Sequence, residues 1–112
     1  MLLKKADPRE VALALLNRST CAVQVACVLV DRWGIHAWGW NSVGSTGFGE
    51  HAEAAAVRRA SRKRLEGSTA IVVARRRKSR GTITARPCEA CRGVLVGVKK
   101  VIYRDQEGWH DL

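Results

Sequence analysis

His51 and Glu53 stand two positions apart at the head of an alanine-rich run, HAEAAAVRRASRKR, and Cys88 and Cys91 follow Pro87 in RPCEACRGVLVG, with 33 residues between Glu53 and Pro87. Two thiols at C-x-x-C spacing, where a helix begins, aim both sulfurs at one point, and the helix N-terminus favours their thiolate forms. A third soft or borderline ligand completes a three-ligand Zn²⁺ site whose fourth position is left to water, which is the catalytic rather than the structural arrangement. His51 is the candidate third ligand, since the chain has no second C-x-x-C and no H-x₃-H to close a structural site. Glu53, in the first helical turn, can reach the space beside the metal without ligating it. The metal would lower the pKa of a bound water towards about 7, and a carboxylate in that place can take the proton and hand it to a leaving group.

Each of these residues has a plainer reading. Cys88 and Cys91 could be buried thiols or a redox pair, but a redox C-x-x-C does not need an upstream H-x-E. His51 alone would be weak evidence for a ligand, and Glu53 alone would read as a carboxylate favoured by the helix dipole. Five specified residues in order, each near a helix start, favour the metal site.

The elements that must position these residues are legible in outline. Asp7, Pro8 and Glu10 read as N-cap, N1 and N3 of a first helix running to about Arg18. Val23–Val30 is a continuous apolar run and reads as a strand buried on both faces. A turn at Asp31–Gly34 joins it to a second strand, Ile35–Trp40, giving a hairpin. The Gly/Ser-rich stretch Asn41–Gly49 leads straight into His51 and would form a wall of the pocket. A second helix is predicted from Glu50 to about Arg64, with Arg58, Arg59, Arg62, Lys63 and Arg64 at its C-terminal end. Thr69–Ala74 is the third strand, Thr82–Ala85 a short extension, Cys88 to about Val96 the third helix, and Val101–Arg104 the fourth strand. Asp105–Leu112 reads as a polar tail. The order α-β-β-α-β-α-β predicts one domain over 1–112: an α/β, three-layer α/β/α fold with a mixed sheet of about four strands and both candidate zinc-binding helices on one face.

The chain has 112 residues and a net charge of +10, enough for one modest core and far more positive than an enzyme of small free metabolites needs. A polyanion would account for the excess, with a basic surface of compositional origin as the alternative. No apolar run of membrane-spanning length occurs, and no apolar region follows the two lysines of the N-terminus, so neither a span nor a signal peptide is expected. Cys21 and Cys27 read as reduced core thiols, which implies a reducing, cytoplasmic compartment. Arg75, Arg76, Arg77, Lys78 and Arg80 crowd a short segment that is either a solvated loop or a phosphate-contacting one.

HAE at 51–53, PCEAC at 87–91 and the less specific GWN at 39–41 resemble the cytidine deaminase superfamily, over roughly residues 7–104. That group takes in nucleoside and deoxycytidylate deaminases, tRNA adenosine deaminases and the AID/APOBEC polynucleotide deaminases. The resemblance implies zinc held by His51, Cys88 and Cys91, Glu53 as proton shuttle, Asn41 on the substrate sugar and the Ala52 backbone on the base edge. Trp40, next to Asn41, is expected near the pocket. The family's usual fifth strand is not expected in the eight residues after Arg104, and a partner copy, in a homo-oligomer, would complete the pocket. Three functions follow. The first is hydrolytic conversion of cytosine to uracil in single-stranded DNA or RNA, with the basic segment on phosphates and Trp33, Trp38, Trp40 or Trp109 as stacking faces. The second is deamination of free cytidine or deoxycytidine nucleotides, with an adenosine-type reaction as a weaker variant. The third is a nucleic-acid-binding protein that keeps the zinc site without turnover.

Overall fold

The computed structural model describes residues 6–43 and 49–112. Helix α1 spans Pro8–Leu15 and starts where expected, with Asp7 outside the helical region and its carboxylate accepting from the Arg9 N–H at 2.9 Å. Such a cap contributes about 1 kcal/mol. A 3₁₀ turn over Leu16–Arg18 finishes it. Strands β1 (Val23–Asp31) and β2 (Gly34–Trp40) form the expected antiparallel hairpin, turning at Gly34, whose φ of 119° suits glycine alone.

The predicted second helix is two. Helix α2 covers Ala52–Arg59 and α3 covers Arg62–Leu65, because Ala60 adopts an extended conformation between them. The arginine-rich sequence carries good helix formers throughout, so propensity gives no warning of this break. It brings Arg64 onto Asp31 at the hairpin tip, in a two-pronged pair at 2.7 Å for each bond. Strand β3 is Thr69–Arg76, helix α4 is Glu89–Val94 with a 3₁₀ turn behind it, and β4 is Lys100–Asp105.

The tail departs most from expectation. Gly108–Asp111 is a fifth strand, β5, paired antiparallel with β4, so the sheet has five strands in the order β2-β1-β3-β4-β5. Asp105 makes the hairpin: one carboxylate oxygen accepts from the Glu107 and Gly108 N–H groups at 2.8 and 3.2 Å, and pairs with His110 Nε2 at 2.8 Å. Gly108 supplies the positive φ, 132°. A four-residue strand with only Trp109 as a large apolar residue has too little alternation to be read from sequence.

Only β3 and β4 run parallel; the other neighbours are antiparallel. One side of the sheet packs Ala12 of α1 and Leu16 of the 3₁₀ turn behind it against Ala26, Val28, Ile71 and Val73. The other packs Ala52 and Ala56 of α2 and Leu95 behind α4 against Cys27, Leu29, Val72 and Tyr103. The three layers and the placement of both metal-motif helices on one face are as the sequence implies.

Candidate active site

Two helix N-termini meet at one end of the sheet. His51 is the N-cap of α2 and Cys88 the N-cap of α4, and both have extended backbones. The approach to α2 is fixed by a bridge between Ser42 and Glu50, with N–O distances of 3.0 and 3.1 Å in the two directions. Glu50 in turn holds Arg58 through two bonds of 2.9 and 2.8 Å. The approach to α4 is a strap: the Ala85 N–H donates to the Arg104 carbonyl at 2.8 Å and Pro87 is buried. Residues 44–48 of the predicted pocket wall lie outside the described residues.

His51 Nδ1 lies 3.0 Å from Cys91 Sγ and 3.9 Å from Cys88 Sγ, and the three donor atoms all fall within 4.8 Å of one another. A tetrahedron with zinc–sulfur bonds of about 2.3 Å and a zinc–nitrogen bond of about 2.0 Å has ligand-to-ligand edges of roughly 3.5–3.8 Å. The cluster is of that size, and a nitrogen with two sulfurs is a zinc donor set. The residues therefore fit Zn²⁺.

The two thiols differ. Cys88 is held below the usual thiol range, chiefly because the Cys91 N–H donates to its sulfur. Cys91 is pushed far up, first by burial and then by the charges of Glu53 and Cys88. A bound cation reverses that penalty, since it favours the thiolate directly. Cys27 lies fully buried in β1 beneath the site, its thiol raised by burial and by the nearness of Glu53, so it stays neutral and packs as an apolar residue.

The donors open into a cleft of about 200 Å³. Its lining includes His51, Ala52, Glu53, Cys88, Cys91 and Asn41. Glu53 is only 5 % exposed, and its carboxylate faces the cleft beside the Cys91 sulfur. Ala52 is fully buried on the cleft wall. Asn41 also lines it, but its side chain first serves the fold. Its oxygen accepts from Ser19 Oγ at 2.7 Å and the Val25 N–H at 2.9 Å, and its amide donates to the Val23 carbonyl at 2.8 Å. One amide hydrogen is left for a ligand.

Trp40 does not line the cleft. Its ring lies between the guanidinium groups of Arg18 and Arg59, 5.8 and 4.9 Å from the centroid. Side chains alternate along a strand, so Gly39, not Trp40, faces α2. The basic segment also divides. Arg75 is the end of a partly buried network, donating to Gln24 Oε1 at 2.8 Å and, at the surface, to Asn17 Oδ1 at 2.7 Å. Arg76, Arg77, Lys78 and Arg80 are exposed. Arg76, Arg77 and Lys78 line a groove of about 710 Å³ that shares Val23 with the zinc cleft. The sequence reading missed Thr84 and Arg86 on the cleft rim; the signal available was their place in the strap just before Pro87.

Among the described residues, a second cluster of potential donors, Asp105, Glu107 and His110, is the lock of the β4–β5 hairpin already described. No described helix is long and apolar enough to cross a membrane. Cys21 and Cys27 are both unpaired thiols, Cys27 buried and Cys21 half-buried.

Comparison with solved structures gives the same fold. A cytidine deaminase from Burkholderia pseudomallei superposes with a TM-score of 0.71 at 20 % identity, covering 94 % of this chain and 88 % of that one. A cytidine deaminase from Mycobacterium leprae gives 0.60 at 16 % identity, covering 92 % and 88 %. No curated protein matches. Residues 5–104 match the sequence profile of the cytidine and deoxycytidylate deaminase zinc-binding region, which spans the zinc donors, Glu53 and both helices that carry them. The chain therefore belongs to the family of zinc-dependent cytidine and deoxycytidylate deaminases, hydrolytic enzymes, and its His51, Cys88 and Cys91 form a donor cluster that fits the metal.

Proposed function

We propose that this protein hydrolyses cytosine to uracil within single-stranded DNA or RNA. The observation that carries the chemistry is Glu53, a carboxylate nearly closed off from water that lines the same cleft, of about 200 Å³, as the three-donor cluster. Zinc, when bound, supplies a water acidic enough to act as nucleophile at neutral pH. Glu53 would take a proton from that water as its oxygen bonds to C4 and pass it to the ring nitrogen N3. The remaining hydroxyl proton would then pass by way of Glu53 to the exocyclic amine, the C4–N bond would break, and ammonia would leave as the C4 carbonyl forms. Among the described residues the Glu53 side chain has no hydrogen-bond or ion-pair partner that would give it a structural task. The free amide hydrogen of Asn41 and the Ala52 backbone orient the sugar and the base edge.

The polymeric substrate is supported by the groove of Arg76, Arg77 and Lys78, which continues from the cleft across Val23, and by the net charge of +10. Such a surface binds several phosphates rather than one. A second reading is a free cytidine or deoxycytidine nucleotide, favoured by the cytidine deaminases that share the fold. A competition decides between them. Zinc-loaded protein receives a cytosine-containing DNA oligonucleotide, the matching RNA, and deoxycytidylate at equal cytosine concentration, with mass spectrometry scoring the amine-to-carbonyl change. Conversion of an oligonucleotide is the expected result. Conversion of deoxycytidylate alone makes the protein a nucleotide-pool enzyme.

A further inference from the structure

The tryptophans and arginines form a pattern that the cleft does not use. Strand β2 is an edge of the sheet. Its C-terminal end hands the chain to Asn41 at the cleft rim, and its N-terminal end is the hairpin tip at Trp33, about 23 Å away at roughly 3.3 Å per residue. Along this edge come Trp40, between Arg18 and Arg59, then Trp38, 45 % exposed, then Trp33, 65 % exposed. Arg32 lies over the Trp33 ring at 4.1 Å and Arg64 near it at 5.9 Å, while the residue stays 65 % exposed. Around Trp33 a groove of about 310 Å³ is lined by Arg32, Lys63, Arg64 and Lys99. Among the described residues its only carboxylate is Asp31, which is nearly buried (3 % exposed) and already neutralised by Arg64. Packing does not require an indole at Trp33, and an exposed aromatic ringed by cations is the surface that unpaired bases and their phosphates fit.

We propose that the β2 edge and the hairpin tip are a track for single-stranded nucleic acid, leading from the zinc cleft to a stacking platform at Trp33. The inference rests on the reading of a polynucleotide substrate for the identity of the occupant, and its test separates the two. Fluorescence anisotropy is measured with labelled oligothymidine and oligouridine, which contain no cytosine and so report binding without chemistry. Trp33→Ala weakens oligonucleotide binding by about tenfold, the size of one lost base stack, and Trp33→Phe restores most of it. The triple variant Arg32→Ala, Lys63→Ala, Lys99→Ala lowers the slope of log affinity against log salt by about two, at roughly 0.7 per phosphate contact on a single strand. Deamination of free deoxycytidine and thermal melting stay unchanged in all three. Unaltered affinity and salt slope in both the Trp33→Ala and the triple variant overturn the track, even if cytosine in oligonucleotides is converted. Altered binding with no conversion of any oligonucleotide leaves the track standing and removes the polynucleotide substrate.

Discussion

Glu53 and Cys91 line the same cleft from two different helices, and both are almost closed off from solvent. Burial first, and then the nearby charge of Glu53, oppose ionisation of the Cys91 thiol, which is pushed up accordingly. A divalent cation held by Cys91 would favour its thiolate directly and reverse that penalty.

Replacing Glu53 therefore separates chemistry from metal binding. Glu53→Gln is expected to lower turnover of any cytosine substrate by at least about a hundredfold, the usual scale for a lost general acid–base, while elemental analysis still finds one zinc per chain. Cys88→Ala shows the opposite pattern, with the metal lost first. Full turnover in Glu53→Gln removes Glu53 from the proton path.

Gly39 is where β2 and α2 come closest. A Cβ built there lies 2.6 Å from the Ala56 nitrogen and 2.7 Å from the Ala52 carbonyl oxygen, both backbone atoms that cannot swing away. Gly39→Ala must push the first turn of α2 outward, taking His51 and Glu53 with it. The expected cost is about 1–3 kcal/mol of stability, the usual scale of overpacking, together with lost turnover, read by denaturant unfolding and by assay. Gly67, with open space around it, is the control: Gly67→Ala leaves activity unchanged.

Asp31 gives a pH dependence of known sign. The Arg64 guanidinium, hydrogen-bonded to it, holds the carboxyl well below the usual carboxylate range. A carboxyl depressed in the folded state adds stability above its unfolded value of about 3.9, and the contribution is lost as pH falls towards the folded value. Melting of wild type and Asp31→Asn between pH 7 and pH 2 is expected to show a gap at neutral pH that narrows below about pH 4. A constant gap would mean that hydrogen bonding alone, and not charge, ties the hairpin tip to α3.

The basic segment should divide under mutation as it divides in space. Arg75→Ala is expected to lower thermal stability, because Gln24 Oε1 and Asn17 Oδ1 lose their partner. Arg77→Ala with Lys78→Ala leaves melting nearly unchanged and reduces the salt dependence of oligonucleotide binding. Equal melting losses in the two variants would make the whole segment structural.

The sequence by itself determined the metal donors. The positions of His51, Glu53, Cys88 and Cys91 are local signals, each tied to the start of a helix whose alanines or apolar residues already specify its packing face. It also determined the hairpin and the layer order, because long apolar runs such as Val23–Val30 have few alternatives. It did not determine where Trp40 and Arg75 go, since the face of an edge strand and the partner of a long cation are chosen by neighbours distant in the chain. Nor did it show β5, whose four residues are held by the Asp105 turn and by pairing with β4 rather than by a pattern of their own. Tertiary structure alone decided the break at Ala60 that carries Arg64 to Asp31, and so made the hairpin tip a rigid, basic, aromatic end to the sheet. The physical reason is range. Motif chemistry and hydrophobic period act over a few residues, whereas charge pairing and edge placement are settled only when the layers close.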